Sequence, residues 1–340
     1  MSNIIDLDKS KITQTQDNSE TSNHNIVSKS FTDVDGFQEF VAYSGLEIIQ
    51  LTPGSLQASF FSIQVGEIYF IYCQTNQGTQ SFGEELKEYF CFSIAWFENE
   101  GEIYSYRHLV NPQRTLFGFN KMEADLLVSQ GGAIIEIHIP VKTFDTYADK
   151  LQRDDIDDNL LSKNHVNLLP TGMKEIKDYL KQLFWLAVHK PNWLQKPDIE
   201  KLVADDFLPL LISHIPIKCN SKNFMKPSRR GKLITQAEKK MLGYLQKPLT
   251  LKQLAENLES SSSALSYGFQ DLFGMSPMRY LKVRRLNAVR QHLKASDPES
   301  CTIATLASQF GFYHRSHFTK DYKAMFGELP SETLAKHYKS

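Results

Sequence analysis

In the last ninety residues the apolar positions recur at helical spacing, and the whole pattern occurs twice. The first copy runs Thr250-Leu251…Leu254-Ala255…Leu258…Leu265…Phe269…Phe273-Gly274…Pro277. The second runs Thr302-Ile303…Leu306-Ala307…Phe310…Phe318…Tyr322…Phe326-Gly327…Pro330. The two are offset by 52 residues at first and by 53 from Leu265/Phe318 onward, which places one extra residue in the second turn. Each Thr is suited to cap a helix. Each Gly is suited to a left-handed helix end, with Pro soon after. Helix, tight turn, amphipathic helix is the helix-turn-helix pattern, whose second helix enters the DNA major groove. A helical hairpin repeat that only packs is the plainer alternative. Between the copies, Leu281, Leu286, Val289 and Leu293 share one face of a basic helix long enough to hold two units at fixed separation.

The front of the chain changes period. Leu56–Val65 and Glu67–Gln74 flank Gly66 and predict a hairpin, and Glu88–Phe97 with Glu102–His108 predict another. Ala133–Ile139 predicts a further strand. Many short strands suggest a sandwich or barrel. Tyr69, Phe70, Tyr72, Phe90, Phe92, Trp96, Phe97, Tyr104 and Tyr106 either line a small-molecule pocket or fill the core of a β domain. Helical spacing returns at Met173–His189 and Pro197–Ile212, a pair that either dimerises or packs on its own barrel. The predicted organisation is a polar, disordered segment 1–28, a β-rich sensor domain 29–170, and a helical region 171–217 with a dimerisation role. A basic linker 218–232 and an all-α DNA-binding domain 233–340 follow, with units near 250–274 and 302–327. The fold class is α+β multidomain.

Charge sharpens this division. The chain carries 38 Lys/Arg and 39 Asp/Glu, yet residues 226–340 hold 19 basic and 9 acidic side chains. A basic third that coincides with the repeat is the electrostatic footprint expected on double-stranded DNA. The polar start offers no secretory signal, and no apolar run of about 18 residues exists to span a membrane, so the expectation is a cytoplasmic protein. Cys73, Cys91, Cys219 and Cys301 lie far apart and match no metal or redox spacing. His108 and His138 form no His-x-His pair, and no metal or cofactor is expected.

Gly311-Phe312…Ser316…Phe318…Tyr322…Phe326-Gly327…Pro330-Ser331 resembles the C-terminal signature of the AraC/XylS family of transcription regulators, and Leu254-Ala255…Leu265…Phe269…Phe273-Gly274…Pro277…Tyr280-Leu281 is similar to that family's first helix-turn-helix. Within the family, Arg285–Arg290 and Phe312-Tyr313-His314…Phe318…Asp321-Tyr322 resemble the ethanolamine-operon regulator subgroup, with Leu51-Thr52-Pro53-Gly54 a looser upstream likeness. The resemblance implies a seven-helix domain with a linker helix between two reading units. It places base-reading positions at Ser263, Ser266 and Tyr267 in the first unit, and at Arg315, Ser316, Thr319 and Lys320 in the second. Ser makes single, permissive hydrogen bonds where Arg or Gln would make bidentate ones, so the second helix is the expected stringent reader. Arg284, Arg285 and Arg290 are open to two roles: phosphate contacts, or salt bridges within the domain to Asp321 or Asp271.

The resulting expectation is a sequence-specific, effector-responsive transcription regulator, an activator through RNA polymerase contact, with a small-molecule effector of unknown identity and a homodimer as expected partners. Two other classes stay open: a non-specific architectural DNA binder, and a DNA-repair enzyme fused to a DNA-binding tail. The second would need clustered cysteines, and no nucleophilic triad, P-loop or dinucleotide fingerprint appears.

Overall fold

The computed structural model describes residues 25–42, 45–83, 88–96, 101–118, 124–156, 164–217, 229–296 and 302–336. The expected disordered segment lies outside them up to residue 24, and the expected linker up to residue 228. Strand β1 (Ile26–Phe31) already starts inside the former, and residues 229–232 already belong to a helix.

The N-terminal part is two facing antiparallel sheets. Helix α1 (Val34–Val41) follows β1, capped by the Asp33 carboxylate, which accepts from the Gly36 N–H. The strands then run β2 (Leu46–Gln50), β3 (Ala58–Val65), β4 (Ile68–Thr75), β5 (Thr79–Gly83), β6 (Tyr89–Ala95), β7 (Ile103–Ser105), β8 (His108–Leu109), β9 (Thr115–Phe117), β10 (Ala124–Val128), β11 (Ala133–Pro140) and β12 (His165–Asn167). One sheet has the order β1-β3-β4-β11-β6-β9-β12, the other β2-β5-β10-β7-β8.

The hairpin about Gly66 forms as expected, with Val65 opposite Ile68 and Gly66 at φ +58. The second expected hairpin does not form. β6 pairs with β11 and β9, whereas β7 pairs with β10 and β8 in the other sheet. The two strands therefore belong to different sheets. Local sequence cannot separate the two, because each strand alternates correctly by itself.

Side-chain alternation divides the central strand β11 between two environments. Ile135, Ile137 and Ile139 join the core beneath α2 (Val141–Lys150), α3 (Pro170–His189) and α4 (Pro197–His214). Ile134, Glu136 and His138 face a cavity between the sheets. The α3–α4 pair packs on its own barrel through Ile176, Leu180, Leu183, Phe184, Phe207 and Leu211, each apolar side chain contributing roughly 2 kcal/mol. Leu202, on the expected apolar face of α4, is exposed, as are Trp185 and Trp193. His108 of β8 faces His165 of β12 across the seam between the sheets, ring centroids 5.1 Å apart. Burial lowers both pKa values, His165 to about 4 with the His108 ring adding to the effect.

Seven helices follow among the described residues: α5 (Arg229–Leu242), α6 (Leu251–Asn257), α7 (Ser262–Phe273), α8 (Pro277–Ala295), α9 (Ile303–Gln309), α10 (Arg315–Phe326) and α11 (Pro330–Lys336). Their core is shared with the N-terminal part. Phe37, Ile48, Ile49, Leu51 and Leu127 sit in one apolar cluster with Leu254, Phe269, Leu286, Phe318 and Tyr322.

Candidate nucleic-acid interface

Both repeats fold as helix-turn-helix units, α6–α7 and α9–α10, but their ends are built differently. Thr250 forms a capping box: its hydroxyl accepts from the Gln253 N–H at 3.2 Å, and the Gln253 carboxamide accepts from the Thr250 N–H at 2.9 Å. Ser261 caps α7 by accepting from the Ala264 N–H at 3.0 Å. In the second unit neither Thr302 nor His314 makes a side-chain cap, so the Thr expected to cap α9 does not. Both reading helices end in left-handed glycines, Gly274 at φ +63 and Gly327 at φ +78. The turn of the first unit holds Glu259 at φ +49, where the second has Gly311 at φ +83. A side chain in that region costs roughly 1–2 kcal/mol.

The faces of α7 and α10 follow from what they bury. Leu265 and Phe269 enter the core from α7, and Phe318, Tyr322 and Met325 from α10. The positions singled out in the sequence therefore lie off the buried face, over the first two turns. Ser263 is exposed and Ser266 half-buried. Tyr267 is 60% exposed, with the Arg230 guanidinium 4.4 Å from its ring centroid. Arg315, Ser316 and Lys320 are exposed and Thr319 is half-buried. Around them stand Tyr313, 73% exposed, and the exposed His314 and His317. Arg230 and Tyr313 escaped the sequence reading as members of these faces. Their signal was weak: an arginine at a helix start, and an aromatic in the turn of the second unit.

The linker arginines have partners other than those expected. Asp321 is taken by Lys282 at 2.6 Å and Asp271 by Arg230 at 3.1 Å. Arg285 donates to the Tyr244 and Lys247 carbonyls at 3.0 and 2.6 Å, tying down the connection after α5. Arg284 is buried over the Phe82 ring of β5 at 4.8 Å. Arg290, 2% exposed, donates to Asp35 of α1 at 2.7 Å and reaches Glu328 at 2.8 Å. Arg284 and Arg290 thus join the helical domain to the N-terminal part, whereas Arg285 is held within the helical domain.

The N-terminal part contacts the C-terminal ends of both α7 and α10. The Gly54 N–H donates to the Ala324 and Met325 carbonyls of α10 at 3.0 and 3.1 Å, and the Gln50 carboxamide donates to Met325 at 2.8 Å. Leu51-Thr52-Pro53-Gly54 is thus a docking loop. A Cβ on Gly54, at φ +123, would run into the Gln77 carboxamide. Asn287 of α8 pairs with both backbone groups of Gln50, accepting at 3.2 Å and donating at 3.0 Å. At the first unit, Glu238 of α5 accepts from Arg107 of the β7–β8 turn and from Gln80 of β5 at 3.1 Å. It also accepts the Tyr280 hydroxyl at 2.6 Å. Burial first, and then Glu238, hold that hydroxyl protonated far above the ordinary phenol range. Arg107 also pairs with Asp125 at 3.2 Å and lies 5.4 Å from the Phe273 ring centroid at the end of α7.

Asp125 leads to the cavity between the sheets. The cavity is about 120 Å³ and mostly apolar, lined among others by Phe37, Phe60, Ile71, Phe117, Asp125 and Glu136. Of the aromatics singled out in the sequence, Tyr106 lines it. Phe70, Tyr72, Phe90, Phe92 and Trp96 belong to the core under the helices. Phe97 lies outside the described residues. His138 lines the cavity with its Nε2 3.6 Å from Glu136, far from the His108–His165 pair. No helix among the described residues is long and apolar enough to cross a membrane.

A helix-turn-helix domain family matches residues 254–336. A probable thc operon regulatory protein of Rhodococcus erythropolis is 38% identical over 109 residues, 32% of this chain and 32% of that one. A XylDLEGF operon transcriptional activator of Pseudomonas putida is 30% identical over 137 residues, 40% of this chain and 83% of that one. Among solved structures, the AraC-like transcriptional activator CuxR aligns over 77% of this chain and 94% of its own, with 11% identity and a TM-score of 0.42. The chain thus spans about a third of the Rhodococcus regulator.

Proposed function

The chain belongs to the AraC/XylS family of transcription regulators, and from that premise we propose that it is a sequence-specific DNA-binding activator whose barrel senses a small effector. The observation that carries this reading is the pair of outward-facing first turns, Ser263-Ser266-Tyr267 on α7 and Arg315-Ser316-Thr319-Lys320 on α10, on helices joined by α8. Arg315 makes the main bidentate base contact, and Lys320, Tyr313 and Arg230 supply contacts to backbone or sugar. The first unit contributes permissive contacts.

The effector enters the cavity between the sheets. Its presence reaches the DNA-binding part through Asp125, which lines the cavity and shares Arg107 with Glu238. A ligand acts only by favouring one arrangement over another, and the competition for Arg107 offers two. RNA polymerase contact and a homodimer, the latter through the exposed Trp185, Trp193 and Leu202 side of α3–α4, complete the proposal. Its finest element is a place in the ethanolamine-operon subgroup, carried by the likeness of residues 285–290 and 312–322.

The test begins with genome-wide mapping of bound sites, followed by titration of the recovered site and its single-base variants. Arg315→Ala should lower discrimination at one or two positions by about tenfold or more while random-sequence binding changes little. An unchanged specificity ratio would remove α10 as the reader. Equal affinity of the unaltered protein for promoter and random DNA would favour an architectural binder instead.

A further inference from the structure

The charged groups of the cavity are one-sided. Among the described residues that line it, the ionisable carboxylates are Asp125 and Glu136, and no Lys or Arg is present. Asp125 is already engaged by Arg107 at 3.2 Å. Glu136 sits mid-strand on β11, opposite Ile71 of β4 and Ser93 of β6, and its side chain is 23% exposed. Its basic neighbour is the His138 imidazole, 3.6 Å away. Three aromatic side chains line the same space: Phe37 of α1, Phe60 of β3 and Phe117 of β9. A carboxylate in an aromatic, mostly apolar enclosure is the environment that recognises an organic ammonium, by ion pairing and by attraction to ring faces. The same enclosure disfavours a carboxylate ligand, which would be desolvated beside Glu136 with no Lys or Arg among the lining residues to meet it. The volume, about 120 Å³, is close to that of engineered apolar cavities of about 150 Å³ that admit benzene, so the occupant is small.

We propose that the barrel cavity binds a small organic amine, an apolar body of about one ring carrying a protonated nitrogen that pairs with Glu136. This rests on the reading of the cavity as the effector site. The Ser93 hydroxyl, directly opposite Glu136, accepts a second N–H from the ammonium. A cation in this position also competes with Arg107 for the local carboxylates, so the amine acts on the contact that holds the first reading unit.

The full-length protein at pH 7.5 should be titrated calorimetrically with three probes of one shape: benzylamine, benzyl alcohol and benzoate. Benzylamine should bind at least about tenfold more tightly than benzoate. Glu136→Gln should remove that advantage while leaving benzyl alcohol affinity within about twofold. Ser93→Leu, which fills the space opposite Glu136, should abolish binding of all three. If that variant does not fold, Glu136→Gln with the three probes still decides the matter. Benzoate binding as well as benzylamine, or benzylamine affinity unchanged in Glu136→Gln, overturns the amine assignment while the cavity remains a ligand site. Binding of none of the three to the unaltered protein overturns the cavity reading itself, and this proposal with it.

Discussion

The two helix-turn-helix units share a framework and differ at their edges. Leu265 and Phe318, Phe269 and Tyr322, and Gly274 and Gly327 occupy matching places. The first unit has well-capped helices, a strained turn at Glu259, and a reading face of serines beside a tyrosine that lies against Arg230. The second has uncapped helices, a relaxed Gly311 turn, and a reading face with Arg315 and Lys320 exposed. Good caps stabilise a helix locally, each contributing about 1 kcal/mol. The second unit gains its order elsewhere, from Arg290, Glu328 and the backbone bonds between α10 and Gly54. The first unit adds helix caps of its own to its contacts with the N-terminal part, whereas the second relies on those contacts.

The largest expected effect tests that last statement. Arg290→Ala leaves Asp35 and Glu328 without their shared cation in a buried site and should cost about 3–5 kcal/mol of unfolding free energy. Hydrogen exchange should loosen α10 and α11 more than α6 and α7. Equal loosening of both units would dissolve the distinction. Next comes the reading faces: Arg315→Ala should lose about 1–3 kcal/mol of discrimination at its base, and Ser263→Ala distinctly less, in titrations against variant sites. A larger loss at Ser263 would reverse the assignment of the stringent reader. Lys282→Ala breaks a half-exposed pair with Asp321 and should change stability by less than about 1 kcal/mol. A uniform fall in DNA affinity with a shallower salt slope would instead show that Lys282 leaves Asp321 for a phosphate. The smallest effect is Glu259→Gly, which relieves the left-handed side chain but frees the unfolded chain. A net gain on the order of 0.5 kcal/mol in a urea titration is expected.

The repeat could be found in the sequence because its determinants are local: a Thr, apolar residues three and four apart, a Gly at each helix end. The hairpin at Gly66 was visible for the same reason. What the sequence concealed was non-local. β6 and β7 look like hairpin partners because each alternates, and their assignment to different sheets depends on β10 and β11, which come later. The partners of Arg284 and Arg290 lie some two hundred or more residues away, at Phe82 and Asp35, so nearby acids seemed adequate. Glu238 is buried between Arg107, Gln80 and Tyr280, partners that its helical neighbours do not reveal. Outward placement of the reading positions was foreseeable from periodicity, whereas the cavity's carboxylate and its aromatic walls needed the strand register.

The clamped linker helix sets a ruler. With 19 residues at about 1.5 Å each, α8 is roughly 28 Å long, a little short of the 34 Å turn of B-DNA. Because Asn287 and Arg290 fix its second half to the N-terminal part, the ruler is held in place. Operators should therefore show one phase. Five base pairs inserted between the two recognised segments would turn the second to the far side of the duplex. Ten would restore the phase but not the contact, since the reach is fixed.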